Sequence, residues 1–187
     1  MGDEAKTMPI RTWMICVALI FVVANGRAGE QPRAVLPPSA PDFTLPDLHG
    51  QAFRLKEMPG QMIVLNFWAF WCDTWKDELP HLTELVKEQS DRDFRLVAVS
   101  VDGTRLQEFM DKTKGAVSFP VLLDAGGKVS ESYKVFHVPT VVILDSAHRI
   151  RYVKTGYPGN EAIRTVLRKL QSEKSKDLKP GTPSPGN

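Results

Sequence analysis

Two long apolar runs place the strongest constraint on the fold of this chain. Met62–Trp68 is apolar except for Asn66, and Leu96–Val101 is a second run of the same kind. Such runs are typical of strands buried on both faces, because a strand with one solvated face alternates apolar and polar residues. Between them, Thr74–Gln89 carries apolar residues at three- and four-residue spacings, which predicts an amphipathic helix. The order strand, helix, strand predicts two strands in the middle of a sheet.

The other segments extend this alternation of strands and helices. Asp42–Leu45 and Gln51–Leu55 flank a glycine-containing turn, which predicts an N-terminal β-hairpin. The later segments are predicted as a helix at Thr104–Lys114, a strand at Val121–Leu123, a short helix at Val129–Tyr133, strands at Thr140–Leu144 and Ile150–Lys154, and a helix from Asn160 to about Ser172. This order predicts an α/β fold with a central mixed sheet flanked by helices.

The N-terminus has the features of a secretory signal peptide. Lys6 and Arg11 precede the apolar run Thr12–Ala24, and small residues follow it, so residues 1–28 are predicted to be that signal. As a helix the run would be about 20 Å long, shorter than the hydrocarbon core of about 30 Å. We therefore expect an extracytoplasmic protein, periplasmic or secreted. An uncleaved anchor is the alternative, and only in that case is a membrane expected as a partner.

The rest of the chain divides into three regions by composition. Residues 29–40 are rich in proline and small residues, which predicts a linker. Residues 41–173 contain the predicted strands and helices of the folded domain. Residues 174–187 are charged and then rich in proline, glycine and serine, so they are predicted to form a disordered tail with too little apolar surface to fold.

Composition excludes several classes of partner. The 187 residues carry a formal net charge of +2, without a basic block interleaved with aromatics and without a phosphate-binding glycine loop. Neither nucleic acid nor nucleotide is therefore expected as a partner. The 4 histidines fall on separate predicted elements and lack the spacing of metal ligands, so neither a metal nor a cofactor is expected.

Cys72 is the candidate for covalent chemistry. Cys16 belongs to the predicted signal, so the mature chain keeps one cysteine and cannot form an internal disulfide. Cys72 follows the first buried strand and precedes the predicted helix, whose N-terminus stabilises a nearby anion by about 0.3–1 kcal/mol. Lys76, one turn along, could also favour the thiolate, whereas Asp73 and the neighbouring tryptophans oppose it. We expect a thiol of moderate reactivity.

Several separated motifs occur in the order that is typical of the thioredoxin fold. In chain order they are Ala40–Leu45, Val64–Ala69, Trp71-Cys72, Glu78-Leu79-Pro80, Phe119–Asp124, Tyr133 and Val138-Pro139-Thr140. On these motifs the chain resembles the TlpA/ResA-type thiol-disulfide oxidoreductases, which are redoxin or AhpC/TSA-like proteins, from about Ala40 to about Leu170.

The resemblance implies a three-layer thioredoxin-like fold and assigns functional positions. Cys72 takes the place of the nucleophile. The Val138–Pro139 bond is expected to be cis and to lie against Cys72, where its backbone would bind substrate. The position of the second cysteine of the family is occupied by Trp75.

The other conspicuous side chains have structural and functional interpretations. Trp71 and Trp75 are predicted to offer apolar contact area to a substrate or partner, with packing as the alternative for Trp75. By analogy with the thioredoxin fold, His137 is expected to face the thiol from the opposing loop and to modulate the thiolate as a proton donor or charge partner. The alternative, which is the more common case for such a residue, is an ordinary solvated position in a loop. Glu78 is assigned to a solvated helix face. Asn66 occupies a strand position where cytoplasmic thioredoxins carry a buried acid, so no general base is expected there.

Two functions are compatible with these features. The first is thiol-disulfide exchange through Cys72 alone, with a protein disulfide or low-molecular-weight thiol as partner and an external thiol to resolve the mixed disulfide. The second is a catalytically degenerate binding module that docks a partner at the Trp-lined surface of residues 68–75 and the loop before Pro139. Oxidation of Cys72 by peroxide is disfavoured, because Leu65 and Ala69 replace the proline and threonine of the peroxiredoxin pattern.

Overall fold

The computed structural model describes residues 39–88, 94–102, 106–113 and 117–177. In chain order the elements are β1 (Thr44–Pro46), β2 (Ala52–Arg54), a 3₁₀ turn (Leu55–Glu57), β3 (Met62–Trp68), α1 (Trp75–Glu88), β4 (Phe94–Ser100), α2 (Leu106–Thr113), β5 (Val121–Leu123), α3 (Lys128–Ser132), β6 (Thr140–Leu144), β7 (Ile150–Thr155) and α4 (Asn160–Asp177). The predicted signal and most of the predicted linker lie outside the described residues. Within those residues, no helix is both long and apolar enough to cross a membrane.

The central sheet is mixed, as predicted. Its five strands follow the order β5-β4-β3-β6-β7. The β3–β4 and β4–β5 pairs are parallel, and β6 and β7 run antiparallel to their neighbours. Parallel neighbours require crossover connections, and these contain α1 and α2. Phe67 near the end of β3 is opposite Thr140 at the start of β6. The turn after β3 and the loop before β6 therefore meet at the same end of these two central strands.

The core lies on both faces of this sheet, and all seven residues of β3 are buried. Alternate residues of a strand point to opposite faces. On one face the side chains of β3 pack with the β1–β2 hairpin and α3, and on the other they pack with α1, α2 and α4. The three layers confirm the predicted thioredoxin-like architecture, and the β1–β2 hairpin confirms the predicted N-terminal one.

Tyr133 joins the N-terminal segment to the sheet. Its hydroxyl donates to the Pro41 carbonyl oxygen at 2.8 Å, and its ring contacts Phe43 and Phe67 with centroids 6.1 and 5.6 Å apart. Burial raises the pKa of Tyr133 well above its ordinary value, so the hydroxyl remains a donor. The hairpin is thus held against the face of the sheet opposite α1.

The final helix is longer than the sequence predicts. α4 continues to Asp177, so residues 174–177 of the predicted disordered tail are helical. Lys174 Nζ donates to the Gly60 carbonyl oxygen at 2.9 Å, and Lys174 and Lys176 lie in the last turn, where cations interact favourably with the helix dipole. The tail prediction overlooked these contacts because it relied on low apolar content alone.

Candidate active site

The turn between β3 and α1 carries Cys72. The Cys72 amide donates to the Ala69 carbonyl oxygen at 3.1 Å, which closes the turn. Asp102, just beyond β4, accepts a hydrogen bond from the Phe70 amide at 2.8 Å and another from the Ser100 hydroxyl at 2.6 Å. The parallel pairing of β3 and β4 places this carboxylate beside the turn. Asp102, to which the sequence analysis gave no role, therefore anchors the segment that positions the thiol.

The loop before β6 faces Cys72. The Val138–Pro139 peptide bond is cis, as the resemblance implied. Cys72 Sγ lies 3.8 Å from the Val138 carbonyl oxygen, within reach of a weak S–H···O hydrogen bond. The Thr140 hydroxyl donates to the His137 carbonyl oxygen at 2.7 Å and so fixes the loop. Cys72 is partly exposed. The structure thus brings a partly exposed cysteine and the prolyl loop together.

Thr74 makes the shortest hydrogen-bond contact of the Cys72 sulfur. Its Oγ1 lies 3.3 Å from Cys72 Sγ, and either atom can donate in the neutral state. α1 begins at Trp75, so Cys72 lies in the turn before the helix and outside its first turn. The effect of the helix dipole declines within that first turn. No pattern in the sequence singles out Thr74, because the conspicuous residues around it are aromatic.

Trp75 is a core residue, and the predicted exposure of its indole is wrong. Only 8% of the residue is exposed, and Nε1 donates to the Phe70 carbonyl oxygen at 3.1 Å. The ring lies 5.4 Å from Phe70, 5.6 Å from Phe109 and 6.1 Å from Trp68, between centroids. Trp75 precedes the buried Leu82 by seven residues, which is two helical turns, so both lie on the face of α1 that contacts the sheet.

The apolar surface around the thiol is smaller than predicted and differently composed. Trp71 is 64% exposed, whereas Trp68 is 5% exposed and belongs to the core. Phe136, two residues before Val138, is 70% exposed. Trp71 directly precedes Cys72 in the chain, and Phe136 belongs to the loop that carries Val138, so each exposed ring is close in sequence to one side of this contact. Phe136 was not predicted, because its exposure depends on how the loop before β6 turns.

Lys76 and His137 do not contact the sulfur. Lys76 Nζ binds Asp73 Oδ1 at 2.6 Å, and this hydrogen bond lowers the pKa of Asp73. The ammonium group therefore points to Asp73 and does not fold back to the sulfur, which is the arrangement that its expected effect on the thiolate requires. The side chain of His137 is exposed. Within the described ranges, no group of three or more His, Cys, Asp and Glu side chains is arranged to hold a metal ion.

Glu78 is buried, and its assignment to a solvated helix face is wrong. The residue is 4% exposed, and burial raises the pKa of its carboxyl group above the ordinary value of 4.5. The side chains of Thr74 and Asn66 oppose this shift, and Asp77 adds to it. The spacing could have revealed its position, because Glu78 precedes Leu82 by four residues and shares its face of α1.

Several buried polar atoms around Glu78 have no hydrogen-bond partner. They are the two carboxyl oxygens of Glu78, Asn66 Oδ1 and Trp68 Nε1. All three residues line a cavity of about 10 Å³ between β3 and α1. Thr74 and Asn66 are thus near enough to influence the carboxyl group without reaching hydrogen-bond geometry with it. An ionised carboxylate without partners is costly in such a place, so the neutral form is favoured.

Comparison with known proteins identifies relatives of this chain. The sequence model of the AhpC/TSA family matches residues 38–153, which include Cys72 and Pro139. The thiol-disulfide oxidoreductase ResA of Oceanobacillus iheyensis is 30% identical over 149 residues, which are 76% of this chain and 77% of ResA.

Solved structures agree with these matches. The exposed lipoprotein thioredoxin of Streptococcus pneumoniae superimposes with a TM-score of 0.61 at 30% identity, over 69% of this chain and 99% of that one. StoA of Bacillus subtilis, at 24% identity, shares the fold with a TM-score of 0.58 over 70% of this chain and 98% of its own. The chain therefore belongs to the AhpC/TSA family, as a thioredoxin-fold member of the TlpA/ResA type.

Proposed function

We propose that this protein carries out extracytoplasmic thiol-disulfide exchange through Cys72 as a lone nucleophile. The observation that carries the proposal is the position of Cys72, a partly exposed residue whose sulfur lies 3.8 Å from the carbonyl oxygen that precedes the cis-proline. A disulfide that approaches this sulfur also meets the backbone of the prolyl loop. The related thiol-disulfide oxidoreductases support thiols or disulfides as the substrates.

The reaction has two exchange steps. In the first, the Cys72 thiolate attacks one sulfur of a substrate disulfide, the substrate S–S bond breaks, and the second substrate sulfur leaves as a thiolate that takes up a proton. In the second, an external thiolate attacks the substrate sulfur of the mixed disulfide. This step forms a new external disulfide and releases the Cys72 thiolate. One disulfide and one thiol are consumed and one of each is produced, so no further oxidant is needed.

Resolution of the mixed disulfide depends on an external thiol, because position 75, which holds the second cysteine in the family, cannot supply one here. Position 75 holds an indole that is packed in the core and hydrogen-bonded to Phe70. A resolving thiol on the same helix would act at a high effective concentration. Without it, turnover is slow and rises with the concentration of the external thiol. Glutathione and a protein thiol are both suitable in chemical terms.

The extracytoplasmic location is part of the proposal and rests on the sequence of residues 1–28. Its test is expression of the full chain with recovery of the protein from the periplasm or medium, followed by N-terminal sequencing. Cleavage near residue 28 supports the proposed location. An intact N-terminus in a membrane fraction indicates an uncleaved anchor instead.

Adduct formation tests the exchange mechanism. The protein is incubated with glutathione disulfide, and intact-mass spectrometry follows the addition of one glutathionyl group. We expect an adduct that is absent in C72A and that reduced glutathione reverses. Failure of the wild-type protein to form an adduct while it remains folded would refute the proposed exchange.

A second candidate function is a binding module without catalysis. The exposure of Trp71 at 64%, next to Cys72 in the chain, and of Phe136 at 70%, in the loop before Pro139, favours it, because large exposed aromatic side chains are common in binding surfaces. The same adduct experiment separates the two functions. A binding module does not require a reactive Cys72, so a folded protein without adduct formation favours it.

A further inference from the structure

Two of the side-chain donors near Cys72 are hydrogen-bonded to other groups than its sulfur. Lys76 Nζ is engaged with Asp73, and Trp75 Nε1 donates to the Phe70 carbonyl oxygen. Thr74 Oγ1, at 3.3 Å, is the remaining side-chain donor that the described residues place against Cys72 Sγ. The other contact of the sulfur is the Val138 carbonyl oxygen, which can only accept a hydrogen bond.

Deprotonation of Cys72 changes what these two contacts can do. A neutral thiol can donate its S–H to the Val138 carbonyl or to Thr74 Oγ1. A thiolate has no proton to donate, so the carbonyl contact loses its hydrogen bond and only the Thr74 hydroxyl can turn its proton toward the sulfur. Hydrogen bonds to a charged acceptor are stronger than neutral ones. The Thr74 contact therefore strengthens in the state that attacks a disulfide.

We propose that the Thr74 hydroxyl is the donor that stabilises the Cys72 thiolate and so sets the fraction of this lone cysteine that is in the reactive thiolate form. The proposal rests on the proposed exchange function and adds a residue to it. It explains how Cys72 is activated from a turn that precedes the helix. The reaction then depends on Thr74, the second of the two residues between Cys72 and the buried Trp75, a position to which no pattern in the sequence assigned a role.

The charged groups near the site do not replace this donor. On the turn and α1, Asp73 is paired with Lys76. On α2, Lys112 is paired with Glu108 at 2.9 Å. Four further titratable groups lie nearby. They are the exposed Asp77, the exposed His137 of the facing loop, Glu78, which is buried in the first turn of α1, and Asp102, whose carboxylate accepts hydrogen bonds from the Phe70 amide and the Ser100 hydroxyl. Because Glu78 neighbours Thr74, the test includes a background in which Glu78 cannot ionise.

The experiment measures the rate of Cys72 alkylation by iodoacetamide as a function of pH in the full mature protein. T74V keeps the shape of the side chain and removes the hydroxyl, whereas T74S keeps the hydroxyl. T83V is the matched control, because the Thr83 hydroxyl bonds the Leu79 carbonyl oxygen in the same helix, away from the sulfur. T74A gives a second hydroxyl-free variant should T74V fold poorly, which circular dichroism reports.

We expect T74V and T74A to raise the pH midpoint of alkylation by about one unit, which is a tenfold shift of the thiolate equilibrium. T74S and T83V should keep the wild-type midpoint, and the shift caused by T74V should persist in an E78Q background. A wild-type midpoint in folded T74V or T74A, or an equal shift in T74S, would overturn the role of Thr74. Failure of the folded wild-type protein to form an adduct with glutathione disulfide would instead refute the exchange function, so the two failures are distinguishable.

Discussion

Replacement of the buried indole at position 75 by cysteine is the most informative perturbation of this site. Trp75 contacts three aromatic rings and is 8% exposed, so W75C removes a core side chain. Replacement of a buried aromatic residue by alanine costs about 3–5 kcal/mol of stability. Cysteine is larger than alanine by one sulfur atom and leaves a smaller cavity, so we expect W75C to lie near the lower value. With an m-value of about 2 kcal/mol/M, a loss of about 3 kcal/mol lowers the urea midpoint by about 1.5 M.

The same substitution places a second thiol near the first. The Trp75 amide donates to the Cys72 carbonyl oxygen at 3.3 Å, a turn geometry that keeps the two Cα atoms within about 7 Å and so near the range of a disulfide. We expect W75C to form an intramolecular disulfide and to gain reductase activity in an insulin precipitation assay, in spite of its lower stability.

W75F is the control for the stability measurement. It keeps an aromatic ring in the core and loses the hydrogen bond from Nε1 to the Phe70 carbonyl oxygen, which costs about 1 kcal/mol. Its urea midpoint should lie between those of the wild type and reduced W75C. A midpoint of reduced W75C equal to that of the wild type would refute the core assignment. Free thiols that persist in folded, oxidant-treated W75C would refute the geometry of the turn.

Three further predictions concern the surroundings of the thiol. Because burial raises the pKa of Glu78, the folded state binds this proton more tightly than the unfolded chain, and stability falls as pH rises from 4.5 through the folded pKa. E78Q should therefore gain urea resistance over the wild type at alkaline pH and lose that advantage in acid; equal pH dependence would contradict the buried assignment. K76A should leave the alkylation rate of Cys72 almost unchanged, since Lys76 pairs with Asp73; a large decrease would show that the ammonium reaches the sulfur. The double variant W71A/F136A should slow mixed-disulfide formation with a protein disulfide but not with glutathione disulfide, and equal rates with the protein substrate would exclude these rings from docking.

The elements of the fold could be predicted from the sequence because their patterns are local. Met62–Trp68 is observed with the predicted bounds, and Thr140–Leu144 likewise. A strand with apolar residues on both faces is buried between two layers, and β3 is apolar at every position except Asn66, so its position within the sheet follows from its composition. The separated motifs likewise identified the thioredoxin fold and the cis-proline loop. Helix ends were less predictable: α4 reaches Asp177 through a contact with Gly60, a residue far away in the chain.

The sequence by itself determined the order of strands and helices, the family, and the presence of one thiol where the strand gives way to the helix. Only the tertiary structure decided what surrounds that thiol. Trp75 and Glu78 are buried because the first turns of α1 lie against β3, whereas Trp71 remains exposed on the preceding turn. Periodicity describes how residues alternate along one element. Which face is covered, and which hydroxyl lies within 3.3 Å of a sulfur, depends on how separate elements pack.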